Sequence, residues 1–361
     1  PITQLRKLRD EENVQGFDST TWNSMVELGW AAIPWGEEHG GLAFGYKGLG
    51  VVTEESGRTL TASPLFASVW VGGTLVNIGG SQSLKSEILS SVAAGELKLA
   101  LALEESHRHS PYNIATSAIS SADGFALSGK KTFVLDGHIA DKLIVVARTS
   151  GEQQARAGLT LFMVDCNAPG VSVTRTIMAD SRNAANVSLD DVAVPSHAVL
   201  GMIDVGADIL DPALDIARIG LAAEMLGGTL ECFERTVAYL KERKQFGVAI
   251  GSFQALKHRA ANMFCEIELS KSCVLEALTA LDEGRDATEV AKLASLAKAK
   301  VGETYGLVSR EGIQMHGGVG ITEEYDIQLY FKRARATESY LGRPSEMREA
   351  IACQLLDGDV A

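Results

Sequence analysis

Two short segments constrain this chain more than anything else in it. One is Arg243-Lys244-Gln245-Phe246-Gly247; the other, about seventy residues later, is Gln314-Met315-His316-Gly317-Gly318-Val319-Gly320. Both belong to long helical patterns. Leu226, Leu230, Phe233, Val237 and Leu240 recur at threes and fours, the apolar face of a helix that should end near Gly247. A guanidinium there offers charge-assisted hydrogen bonds, and glycines at a helix end expose backbone N–H groups with no Cβ in the way. Arg243 alone would also suit a helix C-terminus, where a cation is favoured by ~0.3–1 kcal/mol. One glycine would serve as a C-cap. Three glycines within four residues (Gly317, Gly318 and Gly320) point instead to something approaching closely. Together the segments predict a dinucleotide whose diphosphate is held by helix ends rather than by a Rossmann strand–turn–helix unit.

The rest of the chain falls into three textures. Residues 1–95 read as helices: Asp18 offers an N-cap before Trp22, Met25 and Leu28, a glycine-rich loop runs from Gly36 to Gly45, and Tyr46 to Leu60 forms another helix. In residues 96–205 the period shortens. Leu97, Leu99, Leu101 and Leu103 alternate as a half-buried strand does, and Asp123-Gly124 marks a hairpin. Lys142–Ala147, Leu159–Val164, Val171–Thr176 and Asn186–Val194 are further strands, which together make a middle β-barrel or sandwich. Residues 206–361 return to long helices. A second begins at Phe253, a third runs from Asp286 to Val308, and a fourth is opened by Pro344; with the first they predict a four-helix bundle. The fold class is thus α+β multidomain, with helical, β and helical-bundle domains in that order.

Composition narrows the partners. A net charge of −13 argues against a nucleic-acid backbone. The five cysteines are scattered, without metal spacing, as in a reduced cytoplasmic protein, and no apolar run reaches the ~20 residues that span a bilayer. The seven histidines show no metal spacing either. His316 is expected to pack or bond to backbone, and His107 and His109 to lie exposed on a loop.

Domain order and motifs together resemble the acyl-CoA dehydrogenase family over nearly the whole chain. Leu28-Gly29-Trp30 and Glu37-Glu38-His39-Gly40-Gly41 resemble its N-terminal segment. Leu103-Glu104-Glu105-Ser106 stands where Leu-Thr-Glu-Pro is usual, and Gly129 to Gly137 stands for the family's GxKxWITNG. The resemblance implies FAD, bound between β domain and bundle and across a subunit interface. It implies that Arg243, Gln245 and Phe246 hold the diphosphate and adenine of a neighbouring subunit's FAD, with Gln314, Gly317 and Gly318 beside them. Ser110 falls at a phosphate-contacting serine. Phe133 replaces the tryptophan that covers the isoalloxazine, and Leu135 a threonine near flavin N5. Glu104 replaces a threonine at the pyrimidine edge and is expected to turn away, because a buried carboxylate against an electron-rich ring is costly.

The family's reaction is α,β-dehydrogenation of an acyl-CoA thioester: a carboxylate removes the α-proton while hydride passes to the flavin. Here the resemblance supplies no base. The usual position holds Leu341, within Tyr340-Leu341-Gly342-Arg343, and the alternative position, one residue before Arg218, holds Ala217. Three readings stay open. The chain is one half of a heteromeric dehydrogenase, completing an FAD site while its partner brings the base; or Glu338 or Asp215 substitutes; or the chain is a flavin monooxygenase of the same fold, needing no such base. Thr59 to Pro64 and Phe331 to Ala336 resemble the branch acting on steroids and other bulky acyl groups. Arg218 and Tyr340 fall on the substrate side. Further expectations are an electron-transferring flavoprotein or similar acceptor and a homo- or heterotetramer.

Overall fold

The computed structural model describes residues 2–358. Five helices come first: α1 (Ile2–Asp10), α2 (Ser19–Glu27), α3 (Gly45–Arg58), α4 (Thr74–Gly79) and α5 (Gln82–Ala93). Eight strands follow: β1 (Leu99–Ala102), β2 (Ser117–Ser121), β3 (Gly124–Leu135), β4 (Lys142–Arg148), β5 (Leu159–Asp165), β6 (Val171–Ile177), β7 (Asn183–Pro195) and β8 (Val199–Leu200). The C-terminal part carries α6 (Ala207–Glu242), the hairpin strands β9 (Lys244–Gln245) and β10 (Val248–Ala249), then α7 (Gln254–Asp282), α8 (Ala287–His316), α9 (Ile327–Ser339) and α10 (Pro344–Gly358). The order helical, β, helical is the one the periodicities predict. These elements form two compact units. One contains Leu8–Gly45 and Ala62–Ala217; the other contains Tyr46–Thr61 and the chain from Arg218 onward, with the first few residues.

In the first of these units the sheet runs β6-β7-β3-β2-β4-β5-β8, with β1 beside β4. The β2–β3 hairpin closes at Ser121 and Gly124 around Asp123, as the Asp-Gly signal predicts. Two strands separate β3 from β5, yet Phe125 and Phe162 meet edge to face at 5.1 Å. The sheet therefore curls over a single core that includes Leu127, Val145, Val187 and Leu189, as expected of a barrel or sandwich. The first strand departs from expectation. The Leu-Ala alternation predicts a half-buried strand, but β1 is buried on both faces. Ala100 and Ala102 join the sheet core, while the Ser68 hydroxyl, on the π-helical stretch Phe66–Gly73, accepts from the Leu99 amide at 3.1 Å. The alternation records large and small neighbours rather than inside and outside.

In the second unit α8 is the central helix. It packs against α7, α9 and α10, and it can lie close to them because its buried face is rich in Ala294, Ala297, Ala299 and Gly302. The four helices of the sequence reading are present as α6, α7, α8 and the shorter α10, and α9 is an additional one. No apolar periodicity announces α9, because its buried face carries Arg333, which is paired with Glu224 at 2.9 Å. The first long helix also stops earlier than expected, at Glu242, so Arg243–Gly247 lies beyond it in the β9–β10 hairpin. The tip residues Phe246 (φ +54°) and Gly247 (φ +81°) are both left-handed, the geometry of a tight two-residue turn.

Helices α3 and α6 touch backbone to backbone at Gly57 and Gly227. A Cβ on Gly227 would collide with the Glu54 carbonyl oxygen, a main-chain atom that cannot swing aside. Gly227→Ala is expected to lower stability by about 1–3 kcal/mol, the cost of overpacking, read as a fall in the urea midpoint at unchanged slope.

Candidate active site

The structure brings the two motif-bearing helix ends together. Tyr239, in the last turn of α6, stacks on His316, the last residue of α8, with ring centroids 4.2 Å apart. Its hydroxyl donates to the His316 carbonyl at 3.3 Å. His316 is buried, and its Nδ1 lies 2.7 Å from the Gly312 carbonyl; burial lowers its pKa. It is the packed, backbone-bonded histidine expected. Arg243 continues from Tyr239, its amide donating to the Tyr239 carbonyl at 2.9 Å. Arg243 and Gln245 are exposed, and Phe246 is 92% exposed at the hairpin tip. Gln314, Gly317 and Gly318 are exposed at the end of α8. The three glycines have separable reasons. Gly320 packs on Ile313, and Gly317 has φ +65°. Gly318 has neither a positive φ nor any atom within 4 Å of where its Cβ would be. Nothing in the subunit's own fold requires a glycine there.

Leu341, where the resemblance leads one to expect a base, lies in the same unit, in the turn after α9. Leu341 is 2% exposed and has φ +59°, an outlier for a bulky residue. Two cations from neighbouring helices grip this turn by its carbonyls. Arg218 Nε donates to Leu341 O at 3.0 Å. Lys298 Nζ, fully buried, donates to Thr337 O at 3.0 Å, Glu338 O at 3.2 Å and Gly342 O at 3.0 Å. Burial, reinforced by the charge of Arg218, brings the Lys298 pKa down to about 7. The local carboxylates are engaged elsewhere: Glu338 with Arg335 at 2.6 Å, and Glu346 with the Arg343 amide at 2.8 Å. Tyr340 closes α9 and is half-buried. In the other unit, Asp215 and Ala217 are buried on α6.

The sheet unit holds the remaining residues. A bulge in β3, between Lys131 and Val134, contains Phe133. Phe133 has φ +51° and is 46% exposed, so the backbone is strained where an aromatic ring faces solvent. Leu135 is buried and paired with Ala184. Ser110 ends a turn beginning at Glu104, and its amide donates to Glu104 Oε2 at 3.2 Å. Glu104 Oε1 lies 2.6 Å from His109 Nδ1. This corrects one expectation: His109 is not exposed, its side chain being 7% accessible against the carboxylate. The adjacent Glu105 accepts from buried Lys131 at 2.7 Å and from two amides. Burial alone would raise its pKa, but Lys131 and these donors bring it below the usual carboxylate value.

Comparisons with known proteins agree with this layout. Residues 3–96, 100–192 and 204–356 match the N-terminal, middle and C-terminal domains of acyl-CoA dehydrogenase. The probable acyl-CoA dehydrogenase YngJ of Bacillus subtilis is 31% identical, covering 94% of this chain and 90% of its own. The chain belongs to the acyl-CoA dehydrogenase family. It is an FAD-binding oxidoreductase of the type that acts on CH–CH bonds. Also similar is subunit CarC of the caffeyl-CoA reductase-Etf complex of Acetobacterium woodii, at 27% identity over 97% of this chain and 93% of CarC. Among solved structures, the steroid ACAD Tcur3481-Tcur3483 superposes with a TM-score of 0.87 at 30% identity, covering 99% of this chain and 94% of that one.

An open Gly318, the left-handed Gly317 and an exposed guanidinium beyond the neighbouring helix suit a nucleotide diphosphate, which requires N–H donors, a cation and no intervening Cβ. Reasoning from sequence missed Tyr239, Lys298 and the Glu104–His109 contact. Only Lys298 left a signal, since it falls in helical phase with the buried Ala294, Val301 and Tyr305.

The Lys298 grip should be visible in the pH dependence of stability. The unfolded ammonium keeps its proton to about 10.5, while the folded one releases it near 7. The unfolded state then binds more protons between those values, so this contribution is fully present above 10.5 and is lost as pH falls through 7. Urea titrations should find that the stability of wild type relative to Lys298→Met rises between pH 7 and pH 10.

Proposed function

We propose that this chain is an FAD-holding subunit of a heteromeric acyl-CoA dehydrogenase whose catalytic carboxylate comes from a different subunit. The observation that carries the reading is Leu341: it is buried, its backbone is held by Arg218 and Lys298, and neither nearby glutamate is free to replace it. Removing a weakly acidic α-proton needs a positioned base. The turn that should present one presents an isobutyl group and two cations.

The assignments are those that the family resemblance implies, and the geometry of each unit supports them. Arg243, Gln245 and Phe246 on the hairpin, with Gln314, Gly317 and Gly318 at the end of α8, hold the diphosphate and adenine of a neighbouring subunit's FAD. An aromatic ring 92% exposed at a hairpin tip is the kind of group that another subunit covers. Phe264, Leu269 and Leu275, exposed on α7, support the same homo- or heterotetrameric reading. Ser110, Phe133 and Leu135 line the flavin of this subunit. Bound FAD supplies the hydride acceptor. Arg218 and Tyr340 face the acyl group, and the cation suits a ring oxygen or carboxylate on it. A bulky, ring-bearing acyl-CoA is the substrate class; the similarity to a steroid ACAD supports this. The similarity to a subunit of an Etf complex supports an electron-transferring flavoprotein as acceptor. The free thiols Cys166, Cys232, Cys265, Cys273 and Cys353 fit a reducing cytoplasm.

Four measurements test this. Purified alone, the chain should be yellow and not bleached by acyl-CoA, with activity appearing on co-expression with a base-bearing neighbour. Bleaching by the chain alone would sink the partner reading. A hydroxylated product from reduced nicotinamide and oxygen would favour the monooxygenase reading, which the missing base also permits. Leu341→Glu should add activity to the isolated chain, about 100-fold or more for a restored general base. Finally, a Cβ at position 318 would have no atom within 4 Å. Gly318→Val should therefore leave the circular dichroism and subunit stability unchanged while weakening FAD retention by about tenfold or more, some 1.4 kcal/mol. Unchanged flavin content would remove this residue from the site.

A further inference from the structure

Both oxygens of one carboxylate at the start of α9 are taken by guanidinium groups of the same unit, Arg6 on α1 and Arg235 on α6. Asp326 Oδ1 accepts from Arg6 Nε at 3.0 Å and from Arg6 Nη2 at 2.8 Å, and Oδ2 accepts from Arg235 Nη1 at 2.9 Å. The remaining nitrogen of Arg6, Nη1, donates to the Glu323 carbonyl at 2.7 Å. An aspartate at a helix N-cap ordinarily accepts from the amides of its own first turn. Asp326 holds that position on α9 and makes no such bond. Its oxygens serve the two arginines instead. The contact is also sheltered, the Arg6 side chain being 21% accessible and that of Asp326 26%. A forked pair of this kind is stronger than a solvated surface pair, which contributes little.

What Asp326 anchors is the connection from α8 to α9. That connection opens with the glycine turn Gly317–Ile321 and closes at Asp326. Much of it is exposed, including Ile321, Glu323, Glu324 and Tyr325, so polar and aromatic contacts set its shape more than core burial does. The Thr322 hydroxyl donates to the Val319 carbonyl at 2.7 Å. The Tyr325 ring stands edge-on to His316 at 5.8 Å and to Tyr239 at 6.0 Å. Tyr325 directly precedes Asp326, so the ion pairs and the aromatic contacts hold the same point of the chain. Arg235 divides its guanidinium between Asp326 and Glu231, on its own helix, at 2.9 Å. Arg6 aims all three of its nitrogens at the connection.

We propose that Arg6 is a positioning residue for FAD: by holding Asp326, 320 positions away, it fixes the connection that carries Gly317 and Gly318. This rests on the assignment of that glycine turn to the diphosphate. A diphosphate needs several N–H donors in one arrangement at once. A connection that samples other shapes binds only in its competent fraction, and its apparent dissociation constant rises by the inverse of that fraction. Arg6 acts through Asp326 and needs no contact with the cofactor.

The test compares the purified chain with its Arg6→Met variant in two readouts: the FAD dissociation constant, from flavin fluorescence, and amide hydrogen exchange across residues 317–326. Arg6→Met should weaken FAD binding about tenfold, as for a competent fraction of about one tenth. Exchange in 317–326 should quicken while the interior of α8 keeps its protection. Gly227→Ala controls for a merely structural role, because it strains the α3–α6 contact of the same unit and not this connection. Equal loss of FAD in the two variants would overturn the proposal. Arg6→Lys keeps the charge without the fork and should fall between wild type and Arg6→Met. If Arg6→Met does not fold, Arg6→Lys decides: unchanged exchange in 317–326 or unchanged FAD affinity refutes the role of Arg6. If Gly318→Val loses FAD and the Arg6 variants do not, the diphosphate assignment stands and the inference fails. If neither position affects FAD, both fall.

Discussion

The stacking of Tyr239 on His316 is the contact on which the cofactor argument rests. It joins the last turn of α6 to the last residue of α8, and so brings an arginine just beyond one helix to a glycine turn just beyond the other. Neither segment binds a diphosphate well by itself. A single guanidinium is one cation among many on a surface, and a single glycine turn is an ordinary helix end. Held together by a buried imidazole that is also bonded to the Gly312 carbonyl, they become a preorganised set of donors. The burial that lowers the His316 pKa keeps that ring neutral and packed, so it serves as a hinge pin rather than a ligand.

A second constraint works in the opposite direction. The turn after α9 holds a strained backbone, with the buried Leu341 at φ +59°. Arg218 Nε and Lys298 Nζ donate to main-chain carbonyls of this turn. Those bonds hold the backbone whatever side chain occupies position 341. The turn therefore keeps its shape with a leucine at position 341.

The sheet unit shows charge handled in pairs. Glu105 and Lys131 form an ion pair inside the protein, and Glu104 lies within hydrogen-bond distance of His109 one residue away. Such pairs seldom add net stability, because desolvation offsets most of the Coulomb attraction. Their value is in fixing a turn against the β3 bulge, where Phe133 is held in a conformation that its own side chain disfavours.

Much of this was legible in the sequence. Strand positions followed from period-two alternation, the β2–β3 hairpin from Asp-Gly, and α7, α8 and α10 from their start signals, because each of these reflects local geometry that neighbouring residues set for themselves. The motif residues around Arg243 and Gly317 could be named for the same reason. What tertiary structure alone decided are the contacts between residues far apart in the chain. Arg333 is buried because Glu224, 109 positions away, meets it, which is why α9 carries no apolar signature. β1 is buried on both faces because Ala100 and Ala102, on the side that alternation assigned to solvent, join the sheet core while a π-helical stretch packs at Leu99. Lys298 reads as one lysine among several on an alanine-rich helix until three carbonyls of a distant turn surround it. Periodicity reports which way a side chain faces; it carries no information about which distant polar group will be there to receive it.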